Sequence, residues 1–354
     1  VIRSIAAVAA VALVAASVSG ATEQPPEPIE TVLPPPQFWT VSSGPFSPAG
    51  IAKRLQPLGP GAPPWAERLY RRSVRVLVAL TNPRSGALIA GEPDGWNYVW
   101  PRDAAAGAIA LEAAGLRPEA RRVAGFLSNI DTERAARFHP DGSPVPGRPA
   151  AGDGEAWIAA AKRVVDGSTG ENVLLLGSHG PQRQQEPWRD RQDYGENVTG
   201  DLLANAIASR APAAEIKSRF LSPRGLVREE GGDELDSAAA WAATLFPTPN
   251  LRGAVTRTLL TLTRESTPDG IPPIEGWTPG EVWTAPTAWS AWALVELGKT
   301  GAADRLLGEL RLAETRNGTL PERVDETTGA PTSTTPLAWS HAFAILALRA
   351  RYPA

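Results

Sequence analysis

From Pro63 onward, apolar side chains recur about every three to four residues, the spacing that gathers them on one face of an α-helix. The segment "PPWAERLYRRSVRVLVAL" opens on prolines in first-turn positions and places Trp65, Leu69, Val76 and Leu80 near one face. The alanine-rich "DAAAGAIALEAAG" begins at Asp103, an aspartate placed to cap it, and stops at Gly115. Similar runs follow at 117–130, 152–165, 196–210, 213–221, 233–246, 250–265, 285–298, 302–314 and 335–352. The pattern predicts about eleven helices, with only weak strand signals between them.

These runs are of two kinds. "DGEAWIAAA", "LDSAAAWAA", "TAWSAWALVEL" and "TPLAWSHAFAILAL" are built from small and aromatic residues, whereas "RPEARRVAGFL", "RGAVTRTLLTLTRE" and "AADRLLGELRLAE" are charged on one side. A helix that is apolar all round is surrounded by protein, and an amphipathic one meets water along a face. Alternation of the two predicts an all-α toroid of inner and outer helices. A superhelical repeat array is the alternative, but no fixed sequence period of that kind is present.

Composition narrows the chemistry. The 354 residues are 42% hydrophobic and 21% charged, as in an ordinary globular protein. With 35 basic and 38 acidic side chains the net charge is -3, which gives no electrostatic case for a nucleic-acid partner. A neutral or weakly charged partner fits better. Cysteine is absent, which excludes disulfides, zinc–thiolate sites and a cysteine nucleophile. His139, His179 and His341 are far apart and form no metal-binding pair. No G-x-S-x-G elbow, Walker loop or G-x-G-x-x-G after a strand occurs, so serine-hydrolase, phosphate-loop and Rossmann chemistry are not indicated.

The first residues carry Arg3, an apolar and small-residue run of 14 residues from Ile5 to Val18, then Ser19 and Ala21. That layout predicts a secretory signal over 1–21, cut after Ala21. An uncleaved anchor is the rival, and the run is shorter than the ~20 residues that span a bilayer comfortably. Residues 22–45 read as a proline-rich tether, and 46–354 as the folded domain.

Of the 12 tryptophans, Trp96, Trp100, Trp157, Trp188, Trp277, Trp283, Trp289 and Trp339 fall at or near predicted helix starts. An indole covers the apolar C–H face of a sugar while charged groups bind its hydroxyls, so this grouping predicts an aromatic-lined carbohydrate site. For any single tryptophan the alternative is gap-filling between helices.

Two segments carry a family resemblance. "YVWPRDA", Tyr98 to Ala104, resembles the Y-x-W-x-R-D-A signature of the glucoamylase-like family of inverting glycoside hydrolases. A helix cap with a packing tryptophan would also explain Asp103, but not Arg102. "NGTLPERVDETTGAPTSTTPLAWSHAFAILAL", Asn317 to Leu348, is similar to the family's closing segment, in which a catalytic glutamate precedes a helix. "DELDSAAAWAATLFP" and "GDGEAWIAAA" resemble two further helix starts. The resemblance runs from about Trp65 to the C-terminus and implies an (α/α) six-hairpin toroid. It also implies that Arg102 and Asp103 bind hydroxyls of the non-reducing-end sugar, and that Glu322 is the general base. Tyr98 and Trp100 would complete that wall, with Trp283 and Trp339 as further contributors.

Glycoside hydrolysis needs one protonated and one ionised carboxyl, about 6.5–9.5 Å apart when water attacks directly with inversion. The resemblance implies Glu196, in "DYGENVTGDLLANAIA", as the general acid. Glu186, beside Trp188 in "QQEPWRD", is the rival. Gly195 and Asn197 stand where the family has a tryptophan and a second glutamate, and Ile271 follows Gly270 where it has an arginine. The expected activity is therefore inverting hydrolysis of an α-glucan-like oligo- or polysaccharide or an envelope glycan, by a secreted or envelope-associated monomer. No metal or organic cofactor is expected, and the membrane is a partner only through an uncleaved N-terminal segment. A catalytically silent glycan-binding protein, or a lyase or phosphorylase of a related toroid, is the alternative.

Overall fold

Proline and small polar residues set where many of the helices begin. In the computed structural model, which describes residues 46–91, 96–146, 150, 152–167, 202–265, 270–277 and 280–354, α1 spans Pro48–Arg54. Its Ser47 hydroxyl accepts the Gly50 N–H at 3.1 Å. Helices α2 (Pro64–Ala79), α3 (Pro101–Ala113) and α4 (Arg117–Leu127) also carry proline in the first turn, where its missing N–H costs nothing. They are followed by α5 (Gly154–Asp166), α6 (Leu203–Ala208), α7 (Ala213–Phe220), a 3-10 helix at Ser237–Ala243, and α8 (Arg252–Glu265). The last elements are β1 (Glu281–Trp283), α9 (Thr284–Glu296), α10 (Thr300–Leu312), β2 (Arg323–Asp325) and α11 (Ala338–Arg351).

The predicted alternation is realised in three dimensions. α3 is buried from Pro101 to Leu111 and α11 from Ala338 to Leu348, so both are enclosed on all sides. α2 and α4 bury one stripe each and turn Arg71, Arg75, Arg121 and Arg122 to solvent. α11 packs between α9 and α3, α3 meets α5, α9 meets the 3-10 helix, and the 3-10 helix meets α6. Outside this inner ring, α2 covers α11, α4 covers α3 and α5, α7 covers α6, α8 covers the 3-10 helix, and α10 covers α9. The fold is the (α/α) toroid.

The ends of the domain are tied together. Ala338 N–H donates to Ala90 O at 2.7 Å, and His341 Nδ1 lies 2.9 Å from the Ser73 hydroxyl of α2. On its other side, His341 Nε2 accepts the Leu320 N–H at 3.0 Å, so the proton sits on Nδ1 and is donated to Ser73.

Three elements differ from the sequence expectation. α1 was not predicted, because seven residues with Ile51 as the buried apolar contact carry almost no periodicity. The helix expected at 233–246 is the shorter 3-10 segment: Ser237 N–H and Oγ both bind Pro273 O, at 3.0 and 2.7 Å, and hold its start to the neighbouring loop. Tertiary contacts there override the helix propensity of the alanines. The helix expected at 196–210 is seen as Leu203–Ala208, its first residues lying outside the described ones.

Candidate active site

The α3 N-terminus forms one corner of the site. Val99 and Phe138 exchange backbone hydrogen bonds of 2.8 and 2.9 Å, while Ala90 N–H donates to Tyr98 O at 2.9 Å, which fixes the extended approach to the helix. Trp100 occupies the N-cap and Pro101 the first turn, so Arg102 and Asp103 emerge from a rigid start and are both buried. Arg102 Nη1 donates to Asp153 Oδ1 at 2.8 Å, and Trp157 Nε1 donates to Asp153 Oδ2 at 3.0 Å. Asp153, at the start of α5, thus anchors the guanidinium and is itself held by a core indole. Burial pushes the Asp103 carboxyl up to about 7; Arg102 opposes that rise, and the charges of Glu322 and Asp153 add to it.

Glu322 forms the second corner and rides on a hairpin. β1 and β2 pair antiparallel, with Trp283 opposite Arg323 and Glu281 opposite Asp325. After β2, Asp325 Oδ1 accepts from Thr328 N–H and Thr328 Oγ1, both at 2.8 Å, and Gly329 turns the chain at φ +66°. This Asx-type turn returns residues 330–334 alongside β2, so that Glu322 N–H donates to Thr334 O at 2.9 Å. The Ser333 hydroxyl consequently donates to Glu322 Oε2. Arg323 Nε lies 3.4 Å from the same oxygen, while Arg323 Nη1 donates to Glu281 Oε2 at 2.7 Å. Glu322 itself is only 6% exposed.

The two corners belong to one neighbourhood. The Glu322 charge acts on Asp103, as noted, and the backbone closes up at Gly91. A Cβ there would lie 2.7 Å from Thr334 Oγ1 and 3.3 Å from the Trp96 side chain, so only glycine lets the Trp96 segment approach the Glu322 hairpin. Near α3, the Trp96 and Trp100 rings stand 5.3 Å apart and Tyr98 and Trp100 6.0 Å apart. The Arg137 guanidinium covers Tyr98 at 4.8 Å and Trp100 at 5.5 Å.

No family model matches the chain, and no curated protein matches it in sequence. Solved structures of similar fold do exist. A glycosidase in complex with glucose aligns at a TM-score of 0.65 and 18% identity, over 81% of this chain and 97% of that one. Glucoamylase from Hormoconis resinae aligns at 0.63 and 15% identity, over 81% and 73%. Glucoamylase from Saccharomycopsis fibuligera aligns at 0.57 and 15% identity, over 89% and 97%. The chain has the glucoamylase fold.

Within that glucoamylase fold, Arg102, Asp103 and Glu322 share one electrostatic environment, Tyr98 and Trp100 lie just before the first two in the chain and pack against each other, and Trp283 lies beside Arg323. Trp339 is buried to all but 8% and packs on Trp289 at 5.0 Å between ring centres. Trp157 and Trp289, grouped with the site by sequence, are fully buried and belong with Trp241 and Phe343 to an aromatic cluster inside the ring. Glu196, Glu186 and Trp188 lie outside the described residues. Asp153, Ser333 and Arg323 escaped the sequence reading. The signal for Asp153 was an aspartate four residues before an indole at a helix start; those for Ser333 and Arg323 appear only with the hairpin register.

Proposed function

We propose that the protein is an exported glycoside hydrolase that cleaves a glycosidic bond with inversion. The observation that carries this reading is Glu322: a buried carboxylate, held by the Ser333 hydroxyl and an arginine, in the same electrostatic neighbourhood as the Arg102–Asp103 pair, on a glucoamylase fold. A carboxylate whose lone pairs are fixed by neighbours on one side can present the other to a water, which is what a general base requires. Arg102, oriented by Asp153, and Asp103 would bind sugar hydroxyls, with Tyr98, Trp100 and Trp283 offering apolar surface, whereas Trp339 packs in the interior aromatic cluster. Glu196 would be the acid that protonates the leaving oxygen, with Glu186 as the alternative. The substrate class is an α-glucan-like oligo- or polysaccharide or an envelope glycan, bound by a monomer outside the cytoplasm.

Glu322→Gln keeps the shape of the side chain and removes its basicity. We expect it to lower kcat by at least about 10²–10⁴-fold, the usual contribution of general acid–base catalysis, with the folded state intact. Proton NMR of the first product from a panel of α-glucans, trehalose and envelope polysaccharides should show inverted anomeric configuration. Near-wild-type turnover by the variant would sink the assignment, and a retained anomer would sink inversion. Gly195 and Asn197, which depart from the family pattern next to Glu196, support a second reading: a glycan-binding protein without turnover. Binding without hydrolysis across the same panel would establish it.

A further inference from the structure

We infer that Arg323 is a positioning residue that holds Glu322 ionised, and that Glu281 tunes this by drawing the same guanidinium toward itself. This rests on the reading of Glu322 as base.

Burial alone works against a base, because removing a carboxyl from water favours its protonated form. The Asp103 carboxyl of α3 is within electrostatic reach of Glu322, a second influence in the same direction whenever Asp103 is charged. Two groups of the hairpin oppose them. The Ser333 hydroxyl donates to Glu322 Oε2, and Arg323 brings a full positive charge to 3.4 Å from that oxygen. Arg102 and Asp153, which also act on Asp103, are already bonded to each other at 2.8 Å.

The arginine is not free to leave. Its strand position sets it opposite Trp283, whose ring it covers at 5.5 Å, and Glu281 takes its Nη1 at 2.7 Å. Nη1 is hydrogen-bonded to Glu281, which fixes the planar guanidinium with Nε 3.4 Å from Glu322, close enough for charge attraction though not hydrogen-bonded to it; a lysine ammonium at the end of a flexible stem would be held less firmly there. The closer contact goes to Glu281. Part of the cation's charge is therefore committed elsewhere, and the ionisation of Glu322 depends on how the pair shares it.

The consequence is a pair of opposite responses. Removing Arg323 should make Glu322 easier to protonate, and neutralising Glu281 should make it harder. In protein labelled with carboxyl-13C glutamate, the Glu322 resonance is assigned by its loss in Glu322→Gln and its titration followed directly. We expect Arg323→Gln to raise the Glu322 titration midpoint by about one pH unit or more, the lower end of the effect of an opposite charge in contact. Glu281→Gln should lower it, and Arg323→Lys should restore the wild-type midpoint only in part. With a hydrolysed member of the glycan panel, the acid limb of kcat/KM should move in the same two directions while the alkaline limb stays in place. An unchanged midpoint in Arg323→Gln, or shifts of the same sign in both variants, would overturn the inference. If Arg323→Gln does not fold, the downward shift in Glu281→Gln decides it alone. Full turnover by Glu322→Gln would instead overturn the reading beneath, so the two failures are told apart.

Discussion

Asp103 is held in a state that its surroundings resist. Its carboxyl titrates at about 7 when folded against an ordinary value of 3.8, chiefly because it is buried. A group raised on folding contributes stability that is fully present below its unfolded value and lost as pH rises through its folded one. Asp103→Asn removes that titration. The variant should therefore be more stable than wild type above pH 7, on the order of 1–2 kcal/mol as in other relieved active-site positions, with the gain vanishing below about pH 4. The same change should weaken binding, since a carboxylate accepting sugar hydroxyls contributes about 1.5–3 kcal/mol. Thermal melting across pH and calorimetric titration with a bound glycan would check both halves. A variant that is less stable at pH 8, or binds as well as wild type, would show that Asp103 serves only the structure of the first turn of α3. At this scale the sequence singles out Arg102 and Asp103 as candidates and is silent about what holds them. Arg102 and Asp103 stood out because a cap has no use for the arginine, whereas the bond from Arg102 to Asp153 spans 51 positions and follows no local rule.

At the scale of elements, one buried histidine helps to join α11 to the segment that leads into the Glu322 hairpin. His341 is fully enclosed, and burial lowers its titration from 6.5 to about 3, with Arg72 acting in the same direction. Its neutral ring serves Leu320 as acceptor and Ser73 as donor, so it connects α2, α11 and the segment that leads to Glu322. A histidine depressed on folding contributes stability above pH 6.5 that is lost as pH falls toward 3, at a slope approaching about 1.4 kcal/mol per pH unit. Between 3.8 and 6.5 this trend opposes that of Asp103, and the two partly cancel in the wild-type protein. His341→Gln, whose amide can offer one acceptor and one donor, isolates the histidine. Urea denaturation should give a wild-type advantage that shrinks as pH is lowered from 7 to 4; a difference independent of pH would show that the ring contributes only packing. The sequence made α11 legible by its continuous apolar run, but a histidine inside such a run looks like any other core residue until its two partners are seen.

For the molecule as a whole, the alternation of enclosed and amphipathic helices was readable because it follows from burial alone: α3 and α11 have no face for water, and α4 has one. What could not be read was the direction of the tryptophans. A position near the start of an inner helix lies at the mouth of the ring or points into its interior according to the helix's rotation, and sequence spacing does not fix that rotation. Trp157, Trp241, Trp289, Trp339 and Phe343 consequently meet inside the ring, contributed by four inner segments. Phe343 stands 5.3 Å from Trp289, 5.9 Å from Trp339 and 6.4 Å from Trp157, so it joins α11 to α5 and α9 in one contact set. If those contacts hold the inner helices as a unit, losing the ring of Phe343 should be felt by the whole domain. Phe343→Ala is expected to cost about 3–5 kcal/mol, the usual range for deleting a buried aromatic side chain. Guanidinium unfolding followed by tryptophan fluorescence and by far-ultraviolet circular dichroism should give coincident transitions, both moved to lower denaturant. If only the fluorescence transition moved, the inner cluster would be a local packing feature, and closure of the toroid would rest on the backbone and polar links between α2, α11 and the Ala90 segment instead.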